Sequence, residues 1–161
     1  MNKKVSELLN AQVNKEFYSA YLYLGISKFF TQQDLPVFAA WYKVQAEEEQ
    51  EHAMKIYAYL LDQDEDVSLD AIAEVKAEFK TILDAVQEAD KHEHYITDEI
   101  VKIMDAAVAD KDYRTQLMLN WFISEQQEEE TNSKEMVAKV KMLGNDAKNL
   151  YLLDKELAER K

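Results

Sequence analysis

The stretch Glu47-Glu48-Glu49-Gln50-Glu51-His52 decides how this chain folds. It lies in a segment whose apolar residues recur at helical spacing, which predicts a long α-helix. Glu49 and His52 fall on the apolar stripe of that helix, so both side chains should face the core. A carboxylate and an imidazole buried one turn apart need polar or ionic partners. The stripe consists of Phe38, Trp41, Tyr42, Gln45, Glu49, His52, Ile56 and Leu60.

The composition favours a single all-α domain over residues 1–161. The chain has 161 residues, of which 47% are hydrophobic, with 2 glycines, 1 proline and no cysteine. This length supports one substantial core, and so few helix breakers leave little room for turns. No apolar run reaches the length of a transmembrane helix, and the N-terminus lacks the apolar segment of a signal peptide. These features predict a cytoplasmic protein without a membrane partner.

The charge balance argues against nucleic acid as a partner. The formal net charge is -13 at pH 7, and the pI is near 4.6. Such a chain repels nucleic acid and anionic membrane surfaces, and it attracts cations. A solvated acidic surface would account for this charge by itself, so the acids bear on function only where they enter the core.

Four long helices and a short fifth helix are predicted, at about residues 5–33, 36–62, 81–109, 113–143 and 146–158. Pro36 suits the first turn of the second helix, and Gly144 suits the residue after the fourth. The links between helices one and two and between helices three and four are short. Each of these pairs should therefore pack as antiparallel neighbours.

Residues 62–78 form a long middle connection. Composition permits a helix after Leu69, whereas the alternation of apolar residues from Val67 to Val75 fits an extended path, and the local sequence leaves both open. About 15 extended residues span about 50 Å at ~3.3 Å per residue. A helix of roughly 28 residues is about 42 Å long. The connection can therefore cross the whole bundle and start helix three parallel to helix two, which gives a four-helix bundle with one crossover.

Acidic residues interrupt the apolar stripe of every long helix near its middle. At equal height these groups would converge in the bundle interior, where carboxylates cannot all ionise without counter-charge. A pair of metal ions removes this conflict, and carboxylate oxygens with an imidazole nitrogen suit iron or manganese. The converging residues are Glu16, Glu49, His52, Glu93, Glu125, Glu128 and Glu129.

Taken one at a time, these features have simpler explanations. A lone Glu-x-x-His pair is common, acidic runs are usually solvated, and Tyr23 and Trp121 are typical core residues. The coincidence of acid on four stripes at matched height favours a metal site over those explanations. The residues that point off the stripes and are expected at the surface are Glu47, Glu51, Glu130, His92 and His94.

Four motifs follow one another along the chain. They are Glu16-Phe17-Tyr18-Ser19, Glu48-Glu49-x-x-His52, Lys91-His92-Glu93 and Trp121-x-x-Ser124-Glu125-Gln126-x-Glu128-Glu129-Glu130, before a closing Leu150-Tyr151-Leu152-Leu153-Asp154-Lys155-Glu156-Leu157. In this order and spacing they resemble the non-haem bacterial ferritins over nearly the whole chain. The resemblance implies a ferritin-like fold in which residues 62–78 are the extended crossover loop.

The resemblance also implies a di-iron centre. Glu16, Glu49 and His52 would bind a first iron, and Glu49 would bridge to a second iron held by Glu93 and Glu129.

Further residues match the surroundings of that centre. Gln126 would line it, and Tyr23 would be the tyrosine that bacterial ferritins keep nearby. The residues that match the family's third iron site, nearer the inner surface, are Glu48, Glu125, Glu128 and Glu129.

Departures from related families narrow the resemblance. Bacterioferritins bind haem through a methionine just after the bridging glutamate, and Gln50 stands there, so no haem is expected. They also carry a second Glu-x-x-His on helix four, which is absent here. Mini-ferritins build their site between subunits, whereas this chain supplies both halves. Rubrerythrin-like proteins add a cysteine-ligated iron, and this chain has no cysteine.

The function implied by the resemblance is iron storage, detoxification and homeostasis. Fe(II) would be oxidised by dioxygen or hydrogen peroxide and deposited as mineral inside a homo-oligomeric shell of 24 subunits. Two other hypotheses remain for the function. One is a di-iron oxidase or peroxidase that stores no iron, and the other is a structural helical module whose exposed acidic stripe binds a basic partner.

Overall fold

Five helices form the regular structure of the chain in a computed structural model that describes residues 1–144 and 146–158. They are α1 (Lys3–Gln32), α2 (Pro36–Asp62), α3 (Ile82–Ala109), α4 (Tyr113–Leu143) and α5 (Ala147–Leu157). The described residues contain no strand, and no helix among them is long and apolar enough to span a membrane. The predicted all-α bundle with a crossover and a short fifth helix is confirmed.

Both ends of α2 and α4 agree with the prediction, whereas α1, α3 and α5 differ from it by one or two residues, and capping residues explain the differences. Asn2 accepts a hydrogen bond from the Lys4 backbone at 2.9 Å, so α1 begins earlier than residue 5. Thr81 and Asp84 exchange hydrogen bonds of 3.1 Å in a capping box, so α3 begins after Thr81. Asp146 likewise caps α5 rather than belonging to it. The C-terminal ends of α1 and α5 fall one residue short of prediction, at their C-caps.

Contacts between helices fix their directions. Lys15 pairs with Glu99, and further along α1 Tyr23 donates a hydrogen bond to Glu93. The order along α3 is reversed, so α1 and α3 are antiparallel. Because α1 also forms a hairpin with α2 through residues 33–35, α2 and α3 run parallel. This is the predicted one-crossover topology.

The connection between α2 and α3 lies along α1 and has no helix. Two asparagines one turn apart on α1 bind its backbone. The Asn10 side chain donates to the Asp66 carbonyl at 3.1 Å and accepts from the Ser68 N–H at 2.7 Å. The Asn14 side chain donates to the Asp70 carbonyl at 3.2 Å. Of the two local possibilities for this segment, the non-helical path is therefore the correct one, because its backbone groups find partners on α1.

A glycine lets the same connection approach α1 closely. A Cβ atom at Gly25 would lie 2.4 Å from the Cβ of Ala77, which is far inside van der Waals contact. Only a residue without a side chain therefore fits this position of α1 while Ala77 stays buried.

Two apolar clusters fill the bundle, and a polar layer separates them. The first cluster includes Ile26, Phe30, Phe38, Tyr42, Val86 and Met136. The second cluster includes Val5, Leu9, Ile56, Leu60, Ile100 and Phe122. On each long helix an acidic residue stands between members of the two clusters, and these acids are Glu16, Glu49, Glu93 and Glu129. Four of the acids predicted to converge therefore lie in one layer of the bundle interior, whereas Glu125 is partly buried and Glu128 is exposed.

The core-facing side of α4 differs from the stripe that helical spacing predicts, which consists of Met118, Trp121, Phe122, Glu125, Glu128, Glu129, Asn132, Met136 and Val140. Its buried residues are Thr115, Leu119, Phe122, Gln126, Glu129, Ser133, Met136, Val137 and Val140. Trp121, predicted in the core, is 38% exposed, and Glu128 is exposed as well. Met118, Glu125 and Asn132 are only partly buried. Consecutive acids in this helix blur the apolar period, so the pattern left the face uncertain by about one residue.

α5 closes one end of the bundle by capping α2. The N-cap residue of α2, Leu35, makes no side-chain hydrogen bond. The buried Asp154 carboxylate takes this role and accepts from the backbone N–H groups of Val37 at 3.0 Å and Phe38 at 2.9 Å. A negative charge at a helix N-terminus is further favoured by the helix dipole.

Replacing Asp154 with alanine should lower the free energy of unfolding by about 1–2 kcal/mol, the usual cost of losing an N-cap. Urea unfolding monitored by circular dichroism measures this loss. Glu156→Ala is the matched control, since that side chain on the same helix is 62% exposed and should change little. Equal losses in both variants would contradict the capping role.

Candidate metal centre

Glu16, Glu49 and His52 form a buried group of metal-ligand side chains. One ligand atom from each lies within 4.8 Å of the others, and the residues are 1%, 1% and 3% exposed. Glu16 Oε2, Glu49 Oε1 and His52 Nδ1 have no hydrogen-bond partner. His52 Nδ1 lies 3.5 Å from Glu49 Oε2, but this contact is not a hydrogen bond. Buried polar atoms are rarely left without partners, so three together indicate a site for a bound cation.

The other half of the centre consists of two carboxylates held by neutral donors. Gln126 Nε2 donates to Glu93 Oε2 at 3.1 Å, and the Tyr23 phenol donates to Glu93 Oε1. Gln45 Nε2 donates to Glu129 Oε2 at 2.8 Å. Donors of this kind orient metal ligands without neutralising their charge.

Burial of several acids together raises their pKa values. The pKa of Glu49 lies well above its usual range because of burial and then the charges of Glu93 and Glu16. Burial raises the pKa of Glu93 to about 7, although hydrogen bonds from Tyr23 and Gln126 oppose the shift. Burial and the Glu93 charge raise the pKa of Glu129 to about 8. Within the described part of the chain, no Lys or Arg forms an ion pair with these carboxylates.

The residues predicted to form a third iron site differ in how closely they approach this centre. Glu125 Oε1 is 3.9 Å from His52 Nε2, and these residues form a second possible ligand group with Glu129. After burial and Glu93, the charges of Glu48 and Glu125 also raise the pKa of Glu129. The exposed Glu128 belongs to neither ligand group found among the described residues. The third site stays a prediction.

Two glutamines near the centre were not recognised from the sequence as supporting residues. Gln12 Nε2 donates to Glu16 Oε1 at 2.7 Å, and Gln45 holds Glu129 as described. Each precedes a site glutamate of its own helix by four residues, since Gln12 precedes Glu16 and Gln45 precedes Glu49. That helical spacing was the available signal.

His92 corrects an expectation from the sequence. It was expected at the surface but is only 7% exposed. Its Nε2 lies 2.7 Å from Ser19 Oγ, and its ring contacts Tyr18 and Tyr95. Burial lowers the pKa of His92 to about 4. The expectation was wrong because the residues that cover His92 include two from α1, which the pattern of α3 cannot reveal.

The other expected surface residues behave nearly as predicted. Glu47 and Glu51 are exposed, and the His94 side chain is 57% exposed. Glu130 is partly buried, and its Oε1 lies 3.4 Å from His94 Nδ1. Glu47 and Glu51 therefore belong to the acidic surface, although Glu49 between them belongs to the core.

The raised pKa values predict that the metal-free protein loses stability as the pH rises. The folded state holds protons on Glu93 and Glu129 that the unfolded chain releases near pH 4.5, and this stabilisation disappears as the pH passes about 7 and about 8. Urea unfolding across this range measures the slope. Glu93→Gln and Glu129→Gln should flatten it, whereas Glu47→Gln should not.

Bound metal should reverse the same trend, because it requires deprotonated carboxylates. A Zn(II)-loaded protein that still loses stability with rising pH, to the extent of the metal-free protein, would contradict the assignment of these carboxylates as ligands.

Comparison with known proteins agrees with the geometry. The family described as "Ferritin-like domain" matches residues 6–143. A bacterial non-heme ferritin of Staphylococcus saprophyticus is 38% identical over 160 residues, which cover 99% of this chain and 96% of that protein. One of Campylobacter jejuni is 37% identical over 154 residues, which cover 96% and 92% of the two chains.

A solved structure extends the similarity to three dimensions. The open-pore ferritin of the hyperthermophilic archaeon Archaeoglobus fulgidus matches with a TM-score of 0.97 and 37% identity, over 100% of this chain and 99% of that one. The sequence match, the fold and the buried carboxylate layer agree, and the chain therefore belongs to the ferritin family.

Proposed function

We propose that this chain is an iron-storage ferritin whose ferroxidase centre consists of Glu16, Glu49, His52, Glu93 and Glu129. The observation that carries the proposal is the set of buried ligand atoms without partners on the first three of these residues. Four carboxylates and one imidazole supply the hard donors that iron favours. Two Fe(II) ions bound in this layer would also provide the counter-charge that the bundle lacks.

The same ligands that bind Fe(II) promote its oxidation. Carboxylate oxygens stabilise the harder Fe(III) more strongly than Fe(II), which lowers the reduction potential of the pair. In this proposal Glu49 would bind both ions. Besides burial, the charges of Glu93 and Glu16 raise its pKa, which shows that carboxylates from both halves of the layer lie near it. Dioxygen or hydrogen peroxide accepts the electrons, while Tyr23 and Gln126 keep Glu93 in position.

Storage requires an enclosed space, which one bundle does not contain. The proposed assembly is a homo-oligomeric shell of 24 subunits with α5 at the fourfold contacts, and similarity to ferritins of known structure supports it. The net charge of -13 would draw cations toward such a shell. In this proposal residues 1–161 form a single domain, and the protein acts in cytoplasmic iron homeostasis.

The two alternative functions, a structural helical module and a non-storing di-iron oxidase or peroxidase, predict different observations. The module predicts exposed acidic residues, and the oxidase predicts a smaller oligomer. A structural module would display its acidic stripe, whereas Glu16, Glu49 and Glu93 are at most 2% exposed. A non-storing di-iron oxidase would be a small oligomer. Electron microscopy after aerobic iron loading distinguishes the two, because storage requires a hollow shell with a dense core.

The double variant Glu49→Ala with His52→Ala should lose rapid Fe(II) oxidation by at least about tenfold, as expected when metal ligands or their supports are removed. Stopped-flow absorbance after anaerobic Fe(II) loading and exposure to air measures the rate. Glu47→Ala with Glu51→Ala is the matched control on the same helix, since both residues are exposed. Unchanged oxidation in the first variant would show that the centre lies elsewhere.

Glu125→Ala and Glu128→Ala should lower the number of Fe(II) ions bound per subunit and slow regeneration of the centre, while the first rapid oxidation persists. The reason is that both residues match the proposed third site and lie outside the group of Glu16, Glu49 and His52. Anaerobic titration and repeated additions of Fe(II) separate these effects. Loss of the first rapid phase would instead place Glu125 or Glu128 in the main pair.

A further inference from the structure

Gln12 places a polar oxygen in an apolar part of the bundle, next to the metal centre. On α1 it lies between Leu9 and Val13, which belong to the second apolar cluster, and the residue is 0% exposed. Gln12 Nε2 donates to Glu16 Oε1 at 2.7 Å, whereas Gln12 Oε1 has no hydrogen-bond partner. A buried acceptor without a donor is costly, so this oxygen indicates that a bound molecule supplies the hydrogen.

The unpartnered oxygen belongs to one half of the centre. Among the described residues, four buried side-chain atoms lack a hydrogen-bond partner, and the other three are the ligand atoms of Glu16, Glu49 and His52. A cation satisfies those three atoms by direct bonds. The fourth atom, on an amide that contacts Glu16, is then the acceptor for a hydrogen of whatever molecule reaches that cation.

Hydrogen bonding fixes which end of the Gln12 amide is the oxygen. A carboxylate that binds a metal ion is ionised and only accepts hydrogen bonds. The Gln12 atom that lies 2.7 Å from Glu16 Oε1 must therefore be the nitrogen, because an oxygen there would set two acceptors against each other. The atom without a partner is therefore an acceptor.

We propose that Gln12 makes the centre selective for hydrogen peroxide over dioxygen, an inference that rests on the proposed ferroxidase function. Hydrogen peroxide carries two O–H groups, and one of them donates to Gln12 Oε1 as the molecule reacts beside the ion held by Glu16, Glu49 and His52. Dioxygen has no hydrogen, so it leaves the same oxygen unpaired. A site built to pair with a hydrogen-bonding substrate discriminates against an analogue that cannot form the bond.

The reaction with hydrogen peroxide balances without another reactant. The O–O bond breaks, and each of two Fe(II) ions gives one electron to the two oxygen atoms. The products are two Fe(III) ions and two hydroxide ions. Gln12 gives neither an electron nor a proton to this step, so its part is to select the oxidant.

Gln45 and Gln126 differ from Gln12 in this respect. Gln45 donates to Glu129 and Gln126 donates to Glu93, but neither glutamine has an unpartnered buried oxygen. Their contacts orient metal ligands, and this support should matter equally for both oxidants. Gln45→Leu is therefore the matched control for Gln12→Leu.

Stopped-flow oxidation of Fe(II) by each oxidant tests the proposal. Protein loaded anaerobically with two Fe(II) per subunit is mixed with hydrogen peroxide or with dioxygen, and the ratio of the two rate constants is compared between variants. Gln12→Leu should lower the peroxide-to-dioxygen ratio about fivefold, the usual effect of one lost hydrogen bond. Gln45→Leu should slow both reactions and leave the ratio unchanged. An unchanged ratio in Gln12→Leu would overturn the proposal.

Gln12→Glu separates selection of the oxidant from support of Glu16. This variant keeps an acceptor oxygen but alters the contact with Glu16, so both rate constants should change while their ratio stays near that of the unaltered protein. A ratio as low as that of Gln12→Leu would contradict the role of the Gln12 oxygen.

A crystal structure of the protein loaded anaerobically with Mn(II) tests the same contact without turnover. A water molecule bound to the ion, which stands in for hydrogen peroxide, should lie within hydrogen-bond distance of Gln12 Oε1. A direct bond between that oxygen and the ion, or a protein donor paired with it, would show that it does not receive the oxidant.

The kinetic experiment also distinguishes failure of this proposal from failure of the proposed function. Oxidation by both oxidants with an unchanged ratio in Gln12→Leu would contradict the role of Gln12 alone. Absence of oxidation by either oxidant in the unaltered protein would contradict the ferroxidase function and the role of Gln12 with it.

Discussion

The rest of the structure depends on one constraint, which is that four carboxylates and a histidine lie buried in one layer of the bundle without a Lys or Arg ion pair among the described residues. Burying an uncompensated carboxylate costs several kcal/mol. The metal-free chain reduces that cost by holding protons, as the raised pKa values of Glu93 and Glu129 indicate. In the proposed function, divalent iron would offset this cost more fully, which is why the layer is a candidate metal site.

The surrounding architecture offsets the free-energy cost of this buried acidic layer. Apolar clusters above and below it bury most of the large side chains, so the helices remain packed where the layer itself contributes little. The crossover bound by Asn10 and Asn14 keeps α2 and α3 parallel, which lets one chain supply both halves of the centre. Hydrogen bonds from Gln45 and Gln126 then fix the orientations of the Glu129 and Glu93 carboxylates.

The contrast between α1 and α4 shows how far sequence reasoning reaches. On α1, helical spacing from Leu9 through Val13 to Glu16 predicts one face, and all three residues are buried. On α4 the consecutive acids around Glu128 hide the period, and the buried face was misplaced. His92 was missed for another reason, because Ser19 and Tyr18 cover it from a different helix.

The sequence by itself determined that the chain forms long helices, that each helix turns an acidic residue toward a common core, and that Glu49 and His52 lie one turn apart. Helical periodicity contains this information, since it depends only on neighbours along the chain. The tertiary structure decided which ligand atoms lack partners and which amides hold Glu93 and Glu129. These are distances between side chains that in most cases belong to different helices, and packing in three dimensions sets them.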